Sequence, residues 1–389
     1  MTFHFFNPEN DLALALGDKH YNPPKNIVRF SEDLSLLPVW FADAGDCVLS
    51  RTNVPVDWMR KEREELSVKV SWKHIDEYWK ESVLSDSLSP WGWNYSLYNK
   101  WGKKSSSSQI IDCEKIRELS ARSIVCDILT LPSIKGEIVP ASFVQPKILT
   151  NWNQVCSFVH EYKVVVLKAP WSSSGKGLYW VENECSEALE RWTRNLFAKQ
   201  GYIMGEKVYE KEKDFAMEFK SENGDVSFLG YSFFQTEDGK YKGNILASDD
   251  WMKGQLSQYV HPSVLQNVIT ILCEFFTSRI APYYRGYFGV DMMVVKSEVG
   301  YFIHPCVEVN LRMNMGVVSH IINERYVHED HRGYFFVTTF PTHELLETFH
   351  SSSQHDYPLE IANSRIIRGY MPLTYFQNNA TSLAGVIIE

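Results

Sequence analysis

The chain has 389 residues, with 39 Lys+Arg against 48 Asp+Glu, a formal charge of −9 at pH 7. Hydrophobic residues at 44% and charged residues at 22% are ordinary globular usage, which excludes disorder and fibrous architecture. The acidic balance argues against a nucleic-acid or membrane surface, because such polyanions are held by Lys and Arg, but it leaves room for a small local basic site.

At roughly 150 residues per domain the length predicts two or three domains, large enough to fold without disulfides or structural metal. In the first region, residues 1–135, FHFF reads as a strand running into the polar loop Asn7-Pro8-Glu9-Asn10-Asp11. LPVWFADAGDCVLS reads as a helix, a turn at Gly45 and a second strand, an alternation that favours an α/β unit. SPWGWNYSLYNKWGKKSSSS, rich in Trp, Gly and Ser, reads as a long surface excursion, and EKIRELSARSIVCDILTL as one helix. A second region, 136–340, begins with PKILTNWNQVCSFVHEY, a turn and helix, then the β-branched strand KVVVLKAP stopped by Pro170. Glu187 to Gln200 has helical spacing, and GYIMGEKVY and FAMEFK read as strands around the charged connection EKEKD. PSVLQNVITILCEFFTSRI is the strongest helix, with Pro262 suited to its first turn. GYFGVDMMVV and YFIHPCVEVN follow as strands joined at Lys296-Ser297-Glu298. The remainder, 341–389, reads as a Ser-rich linker (Ser351 to Ser353) and two strands, RIIRGYMPL and LAGVIIE.

Two stretches carry chemistry. In VVVLKAPWSSSGKGLYWV a strand ends at Lys168, a small-residue loop follows, and a second strand resumes. Small residues let backbone N–H groups approach phosphate oxygens, and Lys adds a compact cation. It is not a Walker A loop: the first Gly is missing, Gly177 follows Lys176 where Ser or Thr belongs, and strand rather than helix comes next. An ordinary Ser/Gly hairpin is the alternative. In GVDMMVVKSEVGYFIHPCVEVNLRMNMG, Glu308 and Asn310 share a strand face by alternation, and a hairpin would bring Asp291 beside them. Two carboxylates and an amide carbonyl form a hard oxygen site suited to Mg²⁺. The alternative is a solvated sheet face.

In order and spacing the two stretches together resemble the ATP-grasp superfamily, over residues 145–320. The resemblance implies an ATP-grasp fold of α/β class with an α+β core: an N-terminal α/β domain, the two-part core (lobes at 140–220 and 221–340) and a small C-terminal β-rich extension. It implies ATP held by Lys168, by Ser173, Ser174, Gly175, Lys176 and Gly177 of the loop, by the hinge Glu206-Lys207-Val208, and by Asp214 at the ribose. Asp291, Glu308 and Asn310 match the family's ligands for Mg²⁺, for which Mn²⁺ can substitute. Lys242 falls where D-alanine–D-alanine ligases carry a lysine near the terminal phosphate. Arg312 completes an EVNxR pattern similar to carbamoyl-phosphate synthetases and biotin carboxylases, where the arginine faces the acyl-phosphate end. The implied reaction is ADP-forming ligation of a carboxylate to an amine or thiol through an acyl phosphate, on small-molecule or peptide substrates. A small-molecule kinase and an inactive nucleotide-binding module are the alternatives, and the family admits a homodimer. Asn7, Glu9, Asn10 and Asp11 sit where the family's preceding domain helps hold the acceptor substrate; loop capping is the plainer reading.

The seven cysteines are odd in number and show no CxxC, which predicts reduced thiols. The N-terminus lacks a basic n-region and no run is long enough to span a membrane, so a cytoplasmic address is expected. HEDHRG reads as a solvated loop, HELLETFH lacks the second His of HExxH, and Trp91, Trp93 and Trp101 read as packing rather than a ligand platform.

Overall fold

A computed structural model of the chain describes residues 1–81, 87–104, 111–172, 176–237, 240–298, 300–376 and 379–389. Four strands of the first region, Thr2–Phe5 (β1), Cys47–Ser50 (β2), Ser71–His74 (β3) and Ser87–Pro90 (β4), form a parallel sheet in the order β3-β2-β1-β4. The expected surface excursion at SPWGWNYSLYNKWGKKSSSS is instead structural over its first part: it supplies the end of β4 and a helix, Tyr95–Gly102, whose first turn is capped by the Asn94 side chain accepting from the Leu97 N–H, while Ser105 to Ser108 lie outside the described residues. Trp91, Trp93 and Trp101 are buried in the core, as the packing reading expects. The single helix expected next is two, Cys113–Leu119 and Ile124–Leu129, broken at Ser120–Ser123.

Lys147–Leu149 (β5), Val164–Lys168 (β6), Leu178–Glu182 (β7) and Ile203–Lys207 (β8) make an antiparallel sheet in the order β5-β8-β6-β7, backed by the helices Trp152–Tyr162 and Glu187–Gln200. β5 occupies the segment read as a turn, its short sequence giving no alternation to find. Lys211–Glu222 (β9) absorbs most of the charged connection; it pairs with Asp225–Ser232 (β10). Phe234–Glu237 (β11) and Lys240–Leu246 (β12) leave for another sheet, while Gly286–Ser297 (β13) and Gly300–Asn310 (β14) return beside β9, giving the order β10-β9-β13-β14. The helix Pro262–Arg279 covers this sheet with buried Leu265, Val268, Leu272 and Phe276.

Gly333–Thr339 (β15), Glu360–Ala362 (β16), Arg365–Pro372 (β17) and Ser382–Ile388 (β18) join β11 and β12 in a six-stranded sheet. Ser351–Ser353 is not a linker. It lies within the helix His343–Asp356, where Ser353 is buried; a Ser triplet lowers helix propensity only slightly when packing favours the helix. All seven cysteines are free, with Cys47, Cys113 and Cys306 buried. No helix among the described residues is long and apolar enough to cross a membrane.

Candidate active site

The site begins with strand register. On β13, Asp291 stands opposite Ala216 of β9 on one side and Glu308 of β14 on the other, while Gly289 stands between Glu218 and Asn310. Side chains two residues apart point the same way, so Asp214, Glu218, Asp291, Glu308 and Asn310 share one sheet face. Burial pushes the Asp291 carboxyl up to about 7, with the adjacent Glu308 charge adding to the shift. The Asn310 amide hydrogen-bonds Asp291, and its Oδ1 accepts from Arg312 Nη2 at 3.2 Å.

Facing these carboxylates are cations from other elements. Lys168, buried at the end of β6, places Nζ 2.6 Å from Glu206 Oε2 and 3.4 Å from the Val307 carbonyl, next to Glu308. Arg122, from the break between the two short helices, is only 4% exposed. Its Nη1 donates to the Ala169 carbonyl and Ser172 Oγ, both at 2.8 Å, and its Nη2 lies 2.9 Å from Glu308 Oε1. One guanidinium thus ties the root of the β6–β7 loop to the carboxylate pair. The loop's closing residue, Gly177, has φ +67°, and a Cβ there would lie 2.6 Å from Ser172 Cβ. Ser172 Oγ donates to the carbonyl of Lys176, whose side chain is exposed. Ser173, Ser174 and Gly175 lie outside the described residues.

Across β7, β6 and β8 runs a row Trp180–Val166–Glu206, with Leu178 and Lys168 in the next row. Trp180 is 62% exposed on this face. Lys207 is half-buried, and the Val208 N–H donates to the Val164 carbonyl at 3.1 Å. Asp214 pairs with Lys211 at 2.5 Å.

The segment after β1 reaches the same place; of the expected loop Asn7–Asp11, Asn10 and Asp11 instead open a helix, Asn10–Leu16. Arg312 Nε and Nη2 lie 2.6 and 2.7 Å from the two oxygens of Asp11, and Met313 N–H bonds the Trp91 carbonyl. Asn7 bridges to both the N–H and carbonyl of Gly92, and the Asn10 amide is within 3.0 Å of the Gly92 and Trp93 carbonyls. These two residues therefore tie together the segments after β1 and β4. Glu9 is buried and pairs with Arg51 at 3.6 Å. Asp11, Trp171, Ser172, Glu308, Asn310 and Arg312 line one narrow cleft between these parts.

Lys242 is exposed on β12, in a different sheet from the carboxylates. Its neighbour Tyr241 begins a polar chain inward: Tyr241 bonds Asn244, Asn244 Nδ2 donates to Ser232 Oγ at 2.6 Å, and Ser232 and Asn314 both bond Glu218. Burial pushes Glu218 up to about 8. Gly289 and Gly316 leave it room, since a Cβ at either would lie 2.3 or 2.0 Å from its carboxylate oxygens. Sequence reasoning missed both Glu218 and Arg122. Glu218 left a signal, a lone carboxylate inside the apolar run FAMEF; Arg122 left none.

Among the described residues no three His, Cys, Asp or Glu side chains group as a metal site. Asp291 and Glu308 with the Asn310 oxygen nonetheless fit a hard divalent cation, because two carboxylates and an amide on one sheet face are oxygen donors, and burial, then the Glu308 charge, raises the Asp291 carboxyl.

No family model matches the chain, and no curated protein matches its sequence. Solved structures do. The biotin carboxylase domain of 2-oxoglutarate carboxylase from Hydrogenobacter thermophilus, in complex with MgADP, ADP and bicarbonate, is 14% identical over 100% of this chain and 85% of its own, at a TM-score of 0.51. Pyruvate carboxylase from Rhizobium etli, with acetyl coenzyme A, is 10% identical over 100% of this chain and 35% of its own, at 0.52. At these identities the likeness is one of fold: the chain has the ATP-grasp fold, of α/β class.

Proposed function

We propose that the protein is an ATP-grasp ligase that consumes MgATP, releases ADP and joins a carboxylate to an amine or thiol. One observation carries this reading: Lys168, Arg122 and Arg312 converge on the face that bears Asp291, Glu308 and Asn310. Phosphoryl transfer depends on positioning and charge neutralisation rather than a protein nucleophile. Lys168 and Arg122 are set to hold phosphate oxygens at the root of the β6–β7 loop, beside Lys176 and Gly177; the family resemblance assigns Ser173, Ser174 and Gly175 to the same phosphates. The β6–β7–β8 face takes the base, with Glu206, Lys207 and Val208 as its edge and Asp214 toward the ribose. Asp291, Glu308 and Asn310 would hold Mg²⁺, which when bound neutralises the phosphates. Arg312, fixed by Asp11, stands at the acyl end and steadies the acyl phosphate until the acceptor displaces it. Lys242 reaches in from β12, and Asn7, Glu9, Asn10 and Asp11, around the start of the first helix, shape the acceptor side. The N-terminal α/β part and the core act as functional regions with a limit near 135, and the strands after 340 extend the core's own sheet beside β15.

The test is incubation of the protein and MgATP with a cell extract, read by mass spectrometry and ADP release. A metabolite that gains the mass of a second metabolite less water, with one ADP per product, is expected. A product that keeps the phosphoryl group would make the protein a kinase, and no ADP release with any pool would end the enzyme reading.

A further inference from the structure

A cavity of about 470 Å³ opens at the carboxyl ends of β2 and β3, sharing no lining residue with the cleft of Glu308, Asn310 and Arg312. In parallel α/β sheets such ends are where loops gather polar groups around ligands. One wall is the helix Lys25–Asp33, and the residues it presents are Lys25, Val28, Arg29, Glu32 and Asp33, the last also feeling the Arg29 charge. That spacing of three and four is a single helix stripe, so Lys25 and Arg29 face the same space one turn apart. Like charges at this spacing repel, and among the described residues neither has an ion-pair partner. Arg51, at the end of β2, adds a third cation from the opposite wall, with His74 beyond it at the end of β3. The C-terminal segment closes the cavity through Tyr375 and Asn379. Asp33 pins that segment, its Oδ2 accepting from the N–H groups of Thr381 and Ser382 at 2.9 Å.

A second observation points to an occupant. Glu9 Oε2, Tyr21 Oη and Arg51 Nε are each buried with no hydrogen-bond partner among the described residues, and Glu9 lies 3.6 Å from Arg51. Buried polar atoms normally find partners. Of these three residues Arg51 lines the cavity, with Glu9 as its ion-pair partner, so the Arg51 Nε–H is a buried donor left for a ligand there.

We propose that this cavity is a second small-molecule site, which binds an anionic group, phosphoryl or carboxyl, between Lys25, Arg29 and Arg51. The site stands apart from the ATP reading. Its occupant has one of two sources, the anionic end of a molecule that the enzyme modifies or an effector that it leaves unchanged.

Inorganic phosphate is the probe. It is titrated by calorimetry at constant ionic strength into the full-length protein, a Lys168→Ala variant and a Lys25→Gln/Arg29→Gln double variant. Wild type and Lys168→Ala are expected to bind phosphate alike. The double variant should bind it at least tenfold more weakly, with melting temperature and MgADP affinity unchanged. Equal phosphate affinity in wild type and the double variant, no binding to wild type, or loss only in Lys168→Ala would each overturn the site. Absence of MgADP binding to wild type would instead sink the ATP reading and leave this result standing. Mass spectrometry of small anions released from the purified proteins separates the sources. An anion carried by wild type but not the double variant is a substrate if MgATP consumes it with ADP release, and an effector if it is recovered intact. Anions carried equally by both proteins count against the site.

Discussion

The Arg312 guanidinium grips Asp11 through two parallel hydrogen bonds of 2.6 and 2.7 Å, joining residues 301 apart in sequence. A planar fork meeting a carboxylate in this way fixes direction as well as charge. The same guanidinium reaches the Asn310 oxygen, so the first helix of the chain, Asn10–Leu16, sets where the last polar residue of the EVNxR stretch points. Asp11→Asn keeps the shape but removes the charge. It is expected to lower turnover roughly 100-fold, the scale of losing one placed charge stabiliser, while leaving MgADP affinity within about twofold. Steady-state kinetics beside ADP titration checks this; turnover equal to wild type would remove Asp11 from the site.

Arg122 is nearly inaccessible and serves the Ala169 carbonyl, Ser172 and Glu308 at once. Arg122→Lys keeps the charge and cannot make all three contacts. The expected result is a KM for ATP raised at least tenfold with the fold retained. Arg122→Ala leaves the buried contacts unanswered and should cost about 3–5 kcal/mol of stability. Chemical denaturation and ATP kinetics on the pair distinguish the two effects, and an unchanged KM in Arg122→Lys would deny the residue any part in holding ATP.

Much of this arrangement is legible in the amino-acid sequence, for definite reasons. Asp291, Glu308 and Asn310 lie on strands whose alternation states which face each side chain takes, and the register agrees. Lys168 is legible because a β-branched run ends on it. What stayed hidden depends on contacts between distant segments. Arg122 sits in an irregular break, where no period exists to reveal its direction, and its three partners come from two other parts of the chain. The Trp-rich stretch misled for a related cause: its Gly and Ser residues signal a loop, while burial of Trp91, Trp93 and Trp101 is decided by what packs onto them. Ser351–Ser353 is the same failure in a helix.

Glu218 gives a pH signature. Burial raises its carboxyl from 4.5 to about 8, so the folded protein holds the proton over a range in which the unfolded chain has lost it. Stability is therefore greatest at the acid end and falls as pH rises from about 4.5 to about 8, by roughly 4–5 kcal/mol from this group alone. Glu218→Gln has no proton to lose. Its stability relative to wild type is expected to rise across that window and level off above it. Urea denaturation of both proteins at pH 5 to 9 measures the difference, and parallel curves would mean that Glu218 titrates normally.

Trp180 offers a direct optical test of where the base lies. It is 62% exposed in a row with Val166 and Glu206, and Lys168 stands in the next row of the same face. An exposed indole there has a free π-face against which a purine can stack, an interaction worth about 1–3 kcal/mol. MgADP should therefore change the tryptophan emission of wild type, and most of that change should vanish in Trp180→Phe. The chain has 12 tryptophans, so the difference between the two proteins is the quantity to read. Phe preserves a stacking ring, and ADP affinity should fall less than threefold; Trp180→Ala should lose about tenfold. An identical emission change in wild type and Trp180→Phe would move the base away from this face, and with it the assignment of Glu206, Lys207 and Val208 to its edge.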